Sequence, residues 1–376
     1  MGSQLRAHFF YCFIDEFCLF VRIFVSFLYK SLTMRYLVNL NTNPYYNMAF
    51  DEYVLEQLVL DEPLFYIWQN SPAVIVGLNQ DASAEVNSDY LSEQGIALVR
   101  RVTGGGAVYH DFGNLNYTIV GRSADLERDY AGYTSYILHA LHELGVDAKL
   151  TGRNDILVQG CKVSGYAKRV YKDRLMVHGT LMYDVDLERL QLALTPSVSK
   201  LSVKGIASVR SRVVNLRSYL PALSGVDDLR KQLERILSRN YVDAEYVLSP
   251  SQLSDIALLA EHKFASPEWI YGRRLARRAD AKNANQPLVV QHTSRLACGG
   301  IEIYLQIVEG TIVESRLTGD FIGNLSTSEI EERLVGMQYS REVLEKFFTE
   351  MGYQHYFDGV CMEDLLNLFS ISGDGW

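Results

Sequence analysis

Between Arg100 and Asn116 the chain reads Arg-Arg-Val-Thr-Gly-Gly-Gly-Ala-Val-Tyr-His-Asp-Phe-Gly-Asn-Leu-Asn. Gly104, Gly105 and Gly106 are costly to order, because glycine loses more backbone freedom on folding than any other residue. In return they offer a main chain with no side chains in the way. A phosphate or carboxylate can lie against such a ribbon and be met by its N–H groups. Arg100 and Arg101 stand just upstream with fixed positive charge suited to gripping an anion. Three glycines alone read equally well as a turn. The full string, with Ala107, Val108, Tyr109 and His110 following, points to a ligand site. It is not a usual nucleotide fingerprint: no G-x-x-x-x-G-K-[ST] occurs, and the third glycine of a Rossmann pattern would fall on Tyr109.

A second stretch runs Gly152-Arg-Asn-Asp-Ile-Leu-Val-Gln-Gly-Cys-Lys-Val-Ser-Gly-Tyr-Ala167. Asn154 and Asp155 open a short apolar strand, and Lys162 follows in a Gly/Ser-rich setting. A lysine there can hydrogen-bond a carbonyl and a phosphate oxygen at once. Cys161 invites a thiol mechanism, but neighbours on a strand face opposite ways. If Lys162 faces a ligand, Cys161 is structural. A third stretch carries Lys200, Lys204, Ser208, Arg210 and Arg212, with no Asp or Glu between Arg189 and Val226. Read alone, it is either a solvated basic face or a phosphate-handling loop.

The elements that must position these residues mix strands and helices. Leu64–Trp68, Ala73–Val76, Ala97–Val99, Asn116–Val120, Ile156–Val158 and Val177–Met182 are expected strands. Tyr45–Leu58, Tyr133–Leu144 and Asp227–Leu237 show helical spacing. Past Ser249-Pro250-Ser251, where a boundary is placed, Gly299–Ile307 and Thr311–Leu317 flank Glu309-Gly310 as a β-hairpin. Helical patterns follow at Ser328–Leu334 and Ser340–Phe348. The expected fold class is α+β: a large domain with helices packed on a mixed or antiparallel sheet, and a smaller α+β domain after it. The run Arg273, Arg274, Arg277, Arg278 reads as a solvated loop.

Of 376 residues, 36 are Lys or Arg and 45 are Asp or Glu, a net charge of −9 that argues against a general nucleic-acid binder. Five widely spaced cysteines and no C-x-x-C fit a reducing cytoplasm, and offer neither a disulfide framework nor a zinc site. No His cluster suggests a metal held by protein ligands. Residues 9–29 are strongly aromatic and apolar, but Asp15, Glu16 and Arg22 interrupt them, so no membrane span is expected. Residues 1–33 read as upstream sequence ahead of a start at Met34, as a packed or membrane-touching appendage, or as a targeting signal.

Together the strings resemble the lipoate–protein ligase A family, within the biotin/lipoate ligase-like superfamily. The matching parts are Arg-Arg-x-x-Gly-Gly-Gly-Ala-Val-Tyr-His-Asp-x-Gly-Asn, Gly-Arg-Asn-Asp…Lys-Val-Ser-Gly, His178-Gly-Thr-Leu and Lys-Gly-Ile-x-Ser-Val-Arg-Ser-Arg-Val, in the family's order. The resemblance implies a catalytic domain over 34–248 and an accessory domain over 249–376, with 1–33 outside the family. It implies ATP-dependent activation of lipoate to lipoyl-AMP, with Mg²⁺ on the phosphates, then transfer to one lysine of a carrier domain. The carriers implied are 2-oxoacid dehydrogenase subunits and the glycine-cleavage carrier, with no nucleic acid or membrane partner. By the same resemblance Lys162 is the catalytic lysine. Arg101, Gly104 to His110, Asn154, Asp155 and His178 contact ATP or the adenylate, and Lys200 to Arg212 form the closing loop. Trp68, Val76, Val108 and Tyr109 are placed along an apolar tunnel for the acyl tail. Two departures stand out: a short Asp155–Lys162 segment, and Leu78 in Gly77-Leu-Asn-Gln-Asp81 where many members carry arginine. The competing readings are an ATP-independent octanoyl or lipoyl transferase using a cysteine, and a non-catalytic acyl-carrier binder.

Overall fold

The computed structural model describes residues 34–123, 126–151, 154–194, 213–273 and 288–369. Residues 1–33 and the expected closing-loop residues Lys200, Lys204, Ser208, Arg210 and Arg212 lie outside the described residues, as do Arg274, Arg277 and Arg278.

The strands are β1 (Met34–Leu37), β2 (Leu64–Trp68), β3 (Ala73–Val76), β4 (Ala97–Arg100), β5 (Val108–His110), β6 (Asn114–Arg122), β7 (Ala148–Thr151), β8 (Asp155–Val158), β9 (Cys161–Tyr171), β10 (Arg174–Met182), β11 (Val242–Tyr246), β12 (Leu288–Leu296), β13 (Gly299–Val308) and β14 (Thr311–Gly319). An eight-stranded mixed sheet has the order β11-β1-β2-β6-β10-β9-β8-β7. Helices α1 (Pro44–Glu56), α2 (Leu126–Glu143) and α3 (Val226–Tyr241) cover it. Along β2, Leu64, Tyr66 and Trp68 join Phe50 and Val54 of α1, while Phe65 and Ile67 join Ile137 of α2 and Leu233 of α3. Both faces are covered, which is why the sequence Leu-Phe-Tyr-Ile-Trp has no polar alternation.

Local chemistry sets the helix starts. Asn43 accepts the Tyr45 and Tyr46 N–H groups, and Pro44 sits in the first turn, where its missing donor costs nothing. Ser249 and Gln252 form a reciprocal capping box at the start of α4 (Pro250–Leu259). Ile256 of α4, with Phe264 beyond it, packs in the same cluster as Met48 and Val54. A second sheet, β4-β3-β5, lies beside the large one, and the glycine ribbon is the crossing from β4 to β5.

Residues 288–369 form a smaller α+β unit: β12-β13-β14 with α5 (Ser328–Leu334), α6 (Arg341–Met351) and α7 (Met362–Leu368). The β13–β14 turn has Glu309 at φ 49° and Gly310 at φ 74°, two consecutive left-handed residues that match strand twist. The α+β class expected from sequence is the one observed.

Strands β5, β7, β9, β11 and β12 escape the sequence patterns. β12 is an edge strand with several exposed positions, so burial imposes no clean alternation on it. β9 carries small and polar residues because its face lines a cavity. Arg273 corrects the solvated-loop expectation. Its guanidinium donates to Glu331 Oε1 at 2.5 Å, Leu317 O at 2.6 Å and Thr327 Oγ1 at 2.8 Å, and so ties the chain to the small unit. Among the described residues no helix is long and apolar enough to cross a membrane.

Candidate active site

Strand register builds the site. Tyr66 of β2 pairs with Thr118 of β6, which pairs with His178 of β10. One row further, Trp68 pairs with Asn116 and Asn116 with Thr180. The alternation Asn114, Asn116, Thr118 in β6 is a polar stripe, yet all three are at most 1% exposed. A buried polar stripe needs partners. Above it stands Asp51 of α1, 1% exposed. Its carboxylate accepts from Tyr66 Oη at 2.6 Å and Thr118 Oγ1 at 3.0 Å, and lies 2.6 Å from His178 Nδ1. Burial first, then the Asp51 charge, pushes the Tyr66 phenol well above its ordinary pKa. His178 Nε2 lies 2.7 Å from Thr103 Oγ1, and that hydroxyl oxygen accepts from Arg101 Nε at 3.0 Å. A continuous chain therefore runs from the sheet to the residue just before the glycines.

Lys162 approaches along the same wall. The β8–β9 turn is Gln159 at φ 50° and Gly160 at φ 81°, a two-residue hairpin that accounts for the short segment after Asp155. Lys162 Nζ lies 2.7 Å from Asp155 Oδ1, both side chains about one-third exposed at 34% and 37%. The Val214 N–H donates to Lys162 O at 3.0 Å, so the described chain resumes directly on the lysine's own strand. Gly165 is glycine for a reason visible here: a Cβ built there would lie 2.7 Å from Lys162 Nζ and 2.9 Å from Cε. That side chain is flexible and can swing aside. Gly165→Ala is therefore expected to fold normally but misplace the ammonium, lowering turnover by roughly tenfold to a hundredfold. Circular dichroism beside steady-state kinetics checks this; unchanged turnover would contradict it.

In this structure the guanidinium groups of both arginines are engaged by protein oxygens. Arg100 is 1% exposed and donates to the carbonyls of Gly77, Gln80 and Ile270 at 2.8, 2.7 and 2.5 Å. Burial, then the nearby Arg273 charge, lowers its pKa to about 10. The Gly77–Asp81 loop is thus held as structure, and Asn79 O accepts the Gly319 N–H of the small unit at 3.0 Å. Arg101 lines the cavity, but Nε and both terminal nitrogens are engaged by Thr103 Oγ1 and by Ile75 O, Gly104 O and Gly106 O. It shapes the ribbon by gripping the carbonyl side. On the other side the Gly105 N–H donates to Phe321 O at 3.0 Å, and a Cβ on Gly104 would meet that oxygen at 2.6 Å. In this arrangement bare glycine also lets the two units touch backbone to backbone.

The cavity between these parts measures about 460 Å³. Lys162, Asn154 and Asp155 stand on one wall; Gly105, Gly106, Ala107 and Val108 on another; Met48, Trp68, Ile75, His110, Asn116 and His178 close the buried end. The small unit adds Arg295, Cys298, Gly299, Asp320 and Ile322. Tyr109 and Val76, expected along a tunnel, do not line it. Both pack with Val74, Met182 and Val185. On β5 Val108 and His110 face the cavity, so Tyr109 must face away. Cys161 is likewise not in the lining, while Lys162 is. Sequence reasoning missed Asp51, Thr103, Asn116, Thr118, Gly165 and the small unit's residues. An acidic residue within the apolar run of α1, and the alternating polar positions of β6, were the available signals.

Residues 43–238 match the family model of the lipoyl protein ligase A/B catalytic domain, and residues 287–369 that of the bacterial lipoate protein ligase C-terminus. The chain is 36% identical over 340 residues to the lipoate-protein ligase LplJ of Bacillus subtilis (strain 168), across 89% of this chain and 99% of that one. A solved bi-partite lipoate protein ligase, described with its E2 lipoyl domain, from Thermoplasma acidophilum aligns with TM-score 0.58 at 29% identity, over 66% of this chain and 100% of that one. A crystal structure of lipoate-protein ligase A bound with ATP aligns with TM-score 0.57 at 28% identity, over 64% and 99%.

Proposed function

The chain belongs to the lipoyl protein ligase A/B family, and on that premise we propose that it joins lipoate to AMP from ATP, releases pyrophosphate, and passes the lipoyl group to one lysine of a carrier domain. The observation that carries this reading is one cavity lined by a single ammonium group, Lys162, by the glycine ribbon, and by the apolar side chains of Met48, Trp68 and Ile75. An acid whose carboxylate meets Lys162 must send its tail toward Met48, Trp68 and Ile75.

Each half-reaction then has a defined need. In the first, the carboxylate oxygen attacks the α-phosphorus of ATP and pyrophosphate leaves. Lys162 offsets the repulsion between two anions. In the second, an amine adds to the acyl carbonyl, and the oxyanion that forms needs donors already in place. Lys162 serves again, AMP leaves with the electron pair of the broken C–O bond, and no covalent bond to the protein is required. Holding both partners in the cavity supplies the remaining advantage. We place Asn154, Asp155 and His178 beside the adenylate, and Lys200 to Arg212 as the segment that closes on it.

Mg²⁺ enters with ATP, neutralising phosphate charge. Among the described residues no group of three His, Cys, Asp or Glu side chains is arranged to hold a metal. The proposed carriers are lipoyl domains of 2-oxoacid dehydrogenase subunits and the glycine-cleavage carrier. The Thermoplasma relative described with its E2 lipoyl domain supports that class. Cysteine spacing supports a cytoplasmic setting, and residues 34–248 and 249–376 are proposed as catalytic and accessory units.

The test is carrier mass after incubation with lipoate and the purified chain. A lipoyl increment that appears only with ATP is expected. Modification that persists at full rate without ATP would replace this reading with the acyl-transferase one.

A further inference from the structure

The blind end of the cavity is not uniformly apolar. Asn39 Nδ2 donates to Asn47 Oδ1 at 2.9 Å, Asn47 Nδ2 to Asn70 Oδ1 at 2.8 Å, and Asn70 Nδ2 lies 3.0 Å from His110 Nδ1. Each amide sets the direction of the next, so His110 Nδ1 must accept and its proton must sit on Nε2. Burial first, then the charges of Arg101 and His178, lowers the His110 pKa to about 3, so the ring is neutral. Across the wall Asn116 Oδ1 accepts from Asn114 Nδ2 at 3.0 Å, which leaves its own Nδ2 as a donor. His110 is 3% and Asn116 1% exposed, and both line the cavity. Among the described residues neither His110 Nε2 nor Asn116 Nδ2 has a hydrogen-bond partner.

Two buried donors without acceptors are expensive to keep. They stand among Met48, Trp68 and Ile75, where an alkyl tail offers them nothing. Resting on the ligase reading, we infer that Asn116 and His110 are specificity-determining residues, and that their N–H groups face the disulfide sulfurs of the lipoate ring. Sulfur is a weak acceptor, but it is the only acceptor a substrate can bring to this end once its carboxylate is at Lys162. A site built around such donors disfavours an analogue that leaves them unpaired.

The experiment compares lipoate with 5-cyclopentylpentanoate, the same shape with both sulfurs replaced by carbon. The full chain, ATP and each acid are assayed for pyrophosphate release. A kcat/KM about tenfold higher for lipoate is expected, weaker than for stronger acceptors. In Asn116→Leu, which keeps the branched shape but removes the N–H, lipoate should fall several-fold and the carbon analogue should rise, so the preference shrinks. Equal use of the two acids by the unmodified chain overturns the inference without needing a variant, since water would then be satisfying the donors. A preference unchanged in Asn116→Leu also overturns it. If neither acid releases pyrophosphate, the ligase reading itself falls and takes the inference with it.

Discussion

Replacing Lys162 with alanine is expected to lower both adenylate formation and carrier lipoylation by roughly a hundredfold to a thousandfold, the effect of removing one donor aimed at developing negative charge. Folding should barely change. The Lys162–Asp155 pair is about one-third exposed, at 34% and 37%, and pairs of that kind contribute about 1 kcal/mol or less. A melting temperature within about 3 °C of the unmodified chain is expected beside the lost activity. Lys162→Arg should not restore it, because a planar guanidinium does not occupy the space of a compact ammonium, and the space over Gly165 is tight. Pyrophosphate release measured separately from carrier labelling covers both half-reactions. Turnover at the unmodified rate in Lys162→Ala would remove the central role proposed for this residue.

The largest stability effect is expected at Asp51. Asp51→Ala strips acceptors from Tyr66, Thr118 and His178 in a region where Tyr66 and Thr118 are fully buried. Leaving buried donors unmatched, one of them a histidine that faced a carboxylate, costs about 3–5 kcal/mol. Asp51→Asn preserves volume and one acceptor, so it should lose less stability. It presents an N–H to either Thr118 or His178, however, and so disturbs the chain that ends at Thr103 and the glycine ribbon. Reduced adenylate formation in a folded Asp51→Asn is therefore expected. Denaturant titration of both variants measures the first effect, and kinetics of the asparagine variant the second. A loss below about 1 kcal/mol in Asp51→Ala would mean the carboxylate is not the anchor described here.

Much of this site was legible before any fold. The glycine string, the Lys162 segment and His178-Gly-Thr-Leu stand out because they are residue types that ordinary packing does not ask for. The three core helices were likewise legible, since Leu229, Leu233 and Ile236 recur at helical spacing. Sequence reading erred where one residue type serves two ends. Arg100 looked like an anion grip, but its N–H groups meet backbone carbonyls. Tyr109 and Val76 looked like tunnel walls, but they face the opposite cluster. Arg273 looked solvated, but its partners lie 44 to 58 residues away.

What the chain alone determined was the inventory: which acids, amides, cations and bare backbone units exist, and in what order. A side chain's chemistry is a local property, so it survives being read along a line. What the tertiary structure decided was direction and company. Asp51 meets His178 across 127 positions, and Asn116 meets Trp68 only through strand register. Whether a donor ends up paired or waiting depends on atoms brought together by long-range β-pairing, and no local spacing encodes that.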